Sequence, residues 1–244
     1  MKHVTKSNDL VRATSRLSLT ESRMLSLVLS DLKKNQHSYI ITVKQYCDTF
    51  DVAMDSAYSS LCNAAVNLQD RRITINKTDF VRSLRFVRYV DYYNDQGQIG
   101  LTFDDEILPH IFDLKKHYTT YQLKNIINLQ SVNAFKLYEV GKSFESVGCF
   151  TYSIDDLVLL LDLNITITQT NLQNKVLKPA IKVINDKTDI ELSYTTNKTG
   201  KRVTGFTFTV TAKPTAPTPT KAIKKTDTRA IADKLASPPS FKQW

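Results

Sequence analysis

Asn174, Lys175, Lys178 and Lys182 are the residues whose types and spacing most clearly describe a chemistry. Residues four apart on a helix share one side, so amide and ammonium groups at this spacing offer donors and positive charge to one surface. That is the chemistry of recognising an anionic polymer, not of breaking bonds. Gln169 precedes the set, and Lys198, Lys201 and Arg202 cluster around the turn Asn197-Lys-Thr-Gly200. A second set, Ser59, Asn63, Arg71 and Arg72, lies nearer the N-terminus. Its small uncharged members, with Ser56, Ser60 and Asn67, would let a helix approach a groove floor closely. Standing alone, that helix face reads first as an ordinary solvated one.

Bond-breaking chemistry finds little support. His3, His37, His110 and His117 form no pair at metal-ligand spacing, and no cysteine completes a site. No GxxxxGK[ST] loop is present, so no nucleotide-driven motor and no cofactor is expected. A nicking enzyme with a Tyr nucleophile is the strongest catalytic rival, since the chain has 11 tyrosines. Such chemistry commonly needs a metal held by a His-x-His cluster, and none is encoded. Tyr46, Tyr58 and Tyr138 fall instead at apolar periodic positions, where packing is the expected role.

The elements that must position these residues occur twice. Ser38 to Val43 alternates as a strand and leads into a short helix through Tyr46 and Phe50. A longer helix from about Asp55 to Leu68 follows, then strands Arg71 to Lys77 and Ser83 to Tyr92. In the second copy, strand Cys149 to Ile154 precedes a short helix through Leu157 and Leu161. A longer helix from about Asn171 to Asn185 comes next, then strands Asp189 to Thr195 and Arg202 to Thr211. Strand, helix, helix and two-stranded wing is the order of a winged helix-turn-helix, and two copies point to a chain that reads two successive grooves of a DNA duplex. Ser18-Leu-Thr-Glu21 is a capping box for an earlier helix, and Tyr118 to Leu129 reads as the link between copies. Pro179 should kink the second long helix unless the helix starts there.

The fold class expected is therefore α+β: two tandem winged-helix domains plus a disordered C-terminal tail. The domains are residues 1–125, residues 126–212 and a basic Pro/Thr/Lys-rich tail over residues 213–244, which holds five of the seven prolines. Net charge is +9, of which the three segments carry +3, +1 and +5. The folded part is nearly balanced, so a DNA-binding face there must come from segregating charge. No apolar run approaches the roughly 20 residues of a membrane span, and no apolar signal core follows Met1. Cys47, Cys62 and Cys149, odd in number and in apolar segments, suggest reduced, mostly buried thiols and a cytoplasmic setting.

The chain resembles the iteron-binding plasmid replication initiators of the RepE and RepA type over about residues 3 to 211. The resemblance lies in Asn8-Asp-Leu10 with Leu17-Ser-Leu-Thr-Glu21, in Tyr58-x-x-Leu-x-x-Ala-Ala65-x-x-Leu68-x-x-Arg71, in Leu108-Pro109 with Tyr121-x-Leu-Lys-Asn125, and in Leu137-Tyr-Glu139. It is most specific in Val176-Leu-Lys-Pro-Ala-Ile-Lys-Val-Ile-Asn185, continuing through Lys187-Thr-Asp189 to Gly200-Lys-Arg-Val-Thr-Gly205. The resemblance implies winged-helix domains that clamp double-stranded origin repeats from one side. It also implies a homodimer, joined through the first domain, that binds its own operator as an autorepressor, and a monomer that opens the origin and recruits the host replication initiator and replicative helicase. It implies a bacterial cytoplasmic protein with no membrane partner.

One departure matters. Family members often place an aromatic and several basic residues just before the Val-Leu-x-Pro helix, whereas this chain has Thr168-Gln-Thr-Asn-Leu-Gln-Asn-Lys175. Contacts there should be hydrogen bonds more than ion pairs, with Gln or Asn suited to adenine. A winged-helix transcriptional repressor without a replication role uses the same fold and charges, and remains the alternative.

Overall fold

The computed structural model describes residues 2–33, 36–76, 79–93, 96–112, 114 and 116–214. The expected tail beyond residue 214, the strand end at Lys77 and the side chain of Ser56 lie outside the described residues.

The chain opens with strand β1 (His3–Ser7) and helix α1 (Asn8–Arg12). Helix α2 (Leu19–Asp31) starts at the expected capping box, with the Glu21 amide donating to Ser18 Oγ and the Ser18 amide to Glu21 Oε2. The first winged unit follows as β2 (Ser38–Thr42), α3 (Val43–Phe50), α4 (Met54–Asp70), β3 (Arg72–Asn76), β4 (Val81–Arg85), β5 (Val87–Tyr93) and β6 (Gln98–Phe103). After a 3-10 turn at Asp105–His110 come β7 (Tyr118–Gln122) and helix α5 (Val132–Ser143). The second unit contains β8 (Cys149–Ser153), α6 (Ile154–Leu160), α7 (Gln169–Asn171), a π-helical turn at Leu172–Leu177, α8 (Lys178–Lys187), β9 (Ile190–Thr199) and β10 (Arg202–Ala212).

Strand topology makes the repeat explicit and corrects one part of it. In the second unit the sheet order is β8-β10-β9; in the first it is β2-β6-β5. The counterpart of the β9–β10 wing is thus β5–β6, and β3–β4 is a separate two-stranded hairpin between helix and wing. The run expected as one strand, Ser83 to Tyr92, is two strands. Leu84, Phe86 and Val87 are all buried, so period-2 alternation breaks at adjacent residues and the chain leaves one sheet for the other.

Three further expectations change. Tyr118 to Leu129 begins as a strand paired antiparallel with β1, with Thr119 and Tyr121 facing inward. Pro179 sits two residues beyond the π-helical turn in a helical rod that starts ten residues earlier. Of the free thiols, Cys47 is buried and Cys62 partly so, but Cys149 is exposed: it points to the solvent side of β8, while Phe150 takes the core side.

Buried side chains from both units form one contiguous core. Helix α5 lies at its centre, packing against α1, α2 and β7 as well as α8 and β9. Lys6 pairs with Glu139 at 2.6 Å with both side chains nearly sequestered, and the Tyr121 hydroxyl donates to the same carboxylate. Lys136 Nζ donates to the carbonyls of Val11 and Ala13, each at 2.7 Å. Burial pulls that ammonium down to about 8. The Arg12 guanidinium lies 3.7 Å from the Phe144 ring centroid and bonds Ser143, while the Tyr138 hydroxyl donates to Asp189 at 2.9 Å.

Candidate nucleic-acid interface

The α7–α8 rod has one buried and one exposed side. Leu172, Val176, Leu177, Ala180 and Ile184 face the core; Asn174, Lys175, Lys178 and Lys182 are exposed and Gln169 is half-buried. The rod starts with the Thr168 hydroxyl accepting from the Asn171 amide. Its far end is tied down. The Asn185 side chain donates to the Leu192 carbonyl at 2.9 Å and accepts from the Leu192 amide at 2.8 Å, locking α8 to β9. Thr188 Oγ and Lys213 Nζ satisfy carbonyls of the last turn, and the Lys213 amide donates to Asp189. The Lys213 contacts give nothing away in the sequence, where that residue reads as the start of the tail.

The π-helical turn explains how a mid-rod proline is tolerated. The Lys178 amide donates to the Gln173 carbonyl, five residues back. Pro179 has no amide to give to Lys175 at the regular spacing or to Asn174 at the wider one. Lys178 Nζ reaches back to Asn174 Oδ1 at 2.9 Å.

Beside the rod, Lys198, Lys201 and Arg202 are exposed at the β9–β10 turn. Gly200 there has φ +62, a conformation that favours glycine. Further along β10 the register shifts between Val203 and Gly205, where a Cβ on Gly205 would lie 2.5 Å from the Tyr152 carbonyl. Only glycine lets β10 pass this close to β8.

In the first unit α4 buries Ala57, Leu61, Ala64, Ala65 and Leu68, and leaves Ser59, Asn63 and Asn67 exposed. Met54 and Val66, exposed at 54% and 48%, give this face more apolar surface than the α7–α8 rod presents. Arg71 and Arg72 part company. Arg71 forms a two-pronged pair with Glu21 at 3.2 and 3.3 Å, and the Glu21 side chain is fully buried. Arg72 is exposed. Both line a groove of about 500 Å³ with Arg16, Thr14, Ser15 and Leu159. Arg88 bonds Asp105.

Among the described residues no cluster of His, Cys, Asp and Glu could hold a metal ion, and no helix is long and apolar enough to cross a membrane. Tyr46 and Tyr138 are buried, and Tyr58 is partly buried against the core.

Two winged units, each presenting a long helix with a polar outer face, define a double winged-helix protein of the DNA-binding class. Residues 3–142 match the family described as Initiator Replication protein, WH1, and residues 153–210 match Initiator Rep protein, WH2. The chain belongs to this plasmid replication initiator family. It is 24% identical over 205 residues to a replication initiation protein of Escherichia coli, covering 78% of this chain and 64% of that protein. An uncharacterized 27.6 kDa protein of Escherichia coli is 29% identical over 124 residues, 48% of each chain. The chain thus spans less than two thirds of the length of either relative. The fold is similar to that of the Pi initiator protein solved in complex with iteron DNA, with TM-score 0.75, 19% identity, and coverage of 88% of this chain and 98% of that one. It is also similar to domains 2 and 3 of RctB, at TM-score 0.51 and 9% identity over 84% of this chain.

Proposed function

We propose that this chain initiates plasmid replication by binding direct repeats at an origin, one winged unit per major groove, without cutting or joining the DNA. Two successive grooves span roughly 20 base pairs. The observation that carries the reading is the exposed row Asn174, Lys175, Lys178 and Lys182 beside a cationic wing tip, on a rod whose buried side and far end are fixed to the core. Donors on a rigid helix suit base edges and phosphates, and the wing lysines suit the flanking backbone. Family membership, and the Pi initiator's structure with iteron DNA, support repeats as the target. Origin opening, recruitment of a host initiator and replicative helicase, and autorepression as a dimer in the cytoplasm complete the proposal. They rest on the family alone.

The test is a salt titration of origin-repeat binding with Lys175→Ala/Lys182→Ala. Affinity should drop, and the slope of log affinity against log salt should shrink by about one unit per lost phosphate contact. A slope identical to that of the parent chain would place both lysines off the interface.

A further inference from the structure

The β3–β4 hairpin has no counterpart in the second unit. There the chain passes from α8 directly into the two wing strands, and the β2-β6-β5 sheet of the first unit is likewise complete without the hairpin. One side of the hairpin is buried through Ile73, Ile75 and Leu84. Thr14 pins its β3 edge, exchanging backbone hydrogen bonds with Thr74 at 2.8 and 3.2 Å. The other side carries Arg72 directly across from Arg85, and both are exposed.

Residues facing each other this way have Cβ atoms about 5 Å apart, and like charges there oppose folding. Every other arginine of the first unit has a partner. Arg12 bonds Ser143, Arg16 pairs with Asp162, Arg23 donates to backbone carbonyls, Arg71 pairs with Glu21, Arg88 pairs with Asp105, and Arg82 lies over the Phe80 ring. Among the described residues, the Arg72 and Arg85 guanidinium groups have neither an ion pair nor a hydrogen bond.

Position matters as much as charge. The groove beside Arg72 is lined also by Arg16 and by Leu159 of α6, so the hairpin stands where the two units meet. Asp70 lines it too, without an ion pair to either arginine. A duplex that offers one major groove to each unit passes this seam with a minor groove between them, bordered by two rows of phosphates. Guanidinium forks match phosphate oxygens, and a polyanion would remove the repulsion that the free hairpin carries.

We propose that Arg72 and Arg85 form a phosphate clamp, a third DNA contact that grips the backbone between the two major grooves. This deepens the DNA-binding reading above and rests on it.

The experiment compares the full chain with Arg72→Gln/Arg85→Gln, Arg85→Glu and Arg82→Gln on an origin-repeat duplex. The double variant should lose about two units of the slope of log affinity against log salt, while Arg82→Gln keeps the parent's slope. Arg85→Glu turns the repulsion into an attraction across the strands, so it should unfold at a higher urea concentration than the parent and yet bind the duplex more weakly. Neutral methylphosphonate linkages placed across the central minor groove should weaken parent binding about tenfold and leave the double variant's binding unchanged. An unchanged slope in the double variant, an equal loss of slope in Arg82→Gln, or equal sensitivity of parent and double variant to the neutral linkages would overturn the clamp and leave DNA binding standing. A lower urea midpoint for Arg85→Glu would overturn the opposed charges from which the clamp is inferred. Failure of the parent chain to bind any duplex would overturn the DNA-binding reading itself, and this inference with it.

Discussion

Arg71 and Arg72 are neighbours in sequence with opposite situations. The Arg71 fork is engaged by a carboxylate that is fully buried and also closes the start of α2. Removing the guanidinium strands that charge, so Arg71→Ala should destabilise the protein by about 3 kcal/mol in urea unfolding. Arg72→Ala should leave stability within about 0.5 kcal/mol and act only on DNA affinity. An Arg71→Ala protein of unchanged stability would show that Glu21 finds another partner. The sequence carries both arginines as equals because pairing across fifty positions leaves no local mark. Ser18 and Glu21 lie three apart, within one helical turn, and their capping box was legible for that reason. Asn174 and Lys178 were legible as neighbours on one face; the hydrogen bond that joins them was not.

At the scale of elements, periodicity located most strands and helices, and it failed where the period itself changes. Phe86 and Val87 both turn inward, so an apparently continuous strand is divided between the β3–β4 hairpin and the main sheet of the first unit. Pro179 announced a disturbance in the second long helix, but both remedies that proline suggests, a kink or a late start, keep regular spacing. The rod instead widens one turn ahead of the proline. Pro179→Ala returns the missing amide and removes the ring from a helical rod, so it should raise stability by about 1 kcal/mol or more. The same change should lower the ratio of specific to random-DNA affinity, measured by competition at fixed salt. A variant that gained stability and kept its discrimination would show that the wide turn is incidental to recognition.

At the scale of the whole molecule, the repeat in the sequence suggests two beads on a string, and the structure holds something tighter. Helix α5 serves both units, and its polar partners lie as far away in sequence as Lys6 and Val11, beyond the reach of any local pattern. Lys136 gives this junction a pH signature. Its folded value of about 8 lies below that of a free lysine, so between about pH 8 and 10.4 the unfolded chain holds a proton that the native protein has released. Stability should therefore rise through that window, by up to about 1.4 kcal/mol per pH unit, while below it both states are protonated and the penalty is constant. A neutral amine still has one N–H for each of the two carbonyls. Unfolding curves at pH 8 and 9.5 should show the rise in the parent relative to Lys136→Met; equal pH dependence in the two proteins would mean the ammonium is not desolvated. The Lys6–Glu139 pair has a geometric consequence as well. Helix α5 is held to β1 by that pair and to Asp189, at the start of β9, by the Tyr138 hydroxyl, so sliding the second unit along α5 would break a part-buried hydrogen bond and the distance between α4 and the α7–α8 rod behaves as a fixed gauge rather than a spring. A target with an extra base pair between its two contacted segments would have to be accommodated by twisting and bending the duplex, and the penalty for a wrong spacer would fall on the stiffness of the nucleic acid.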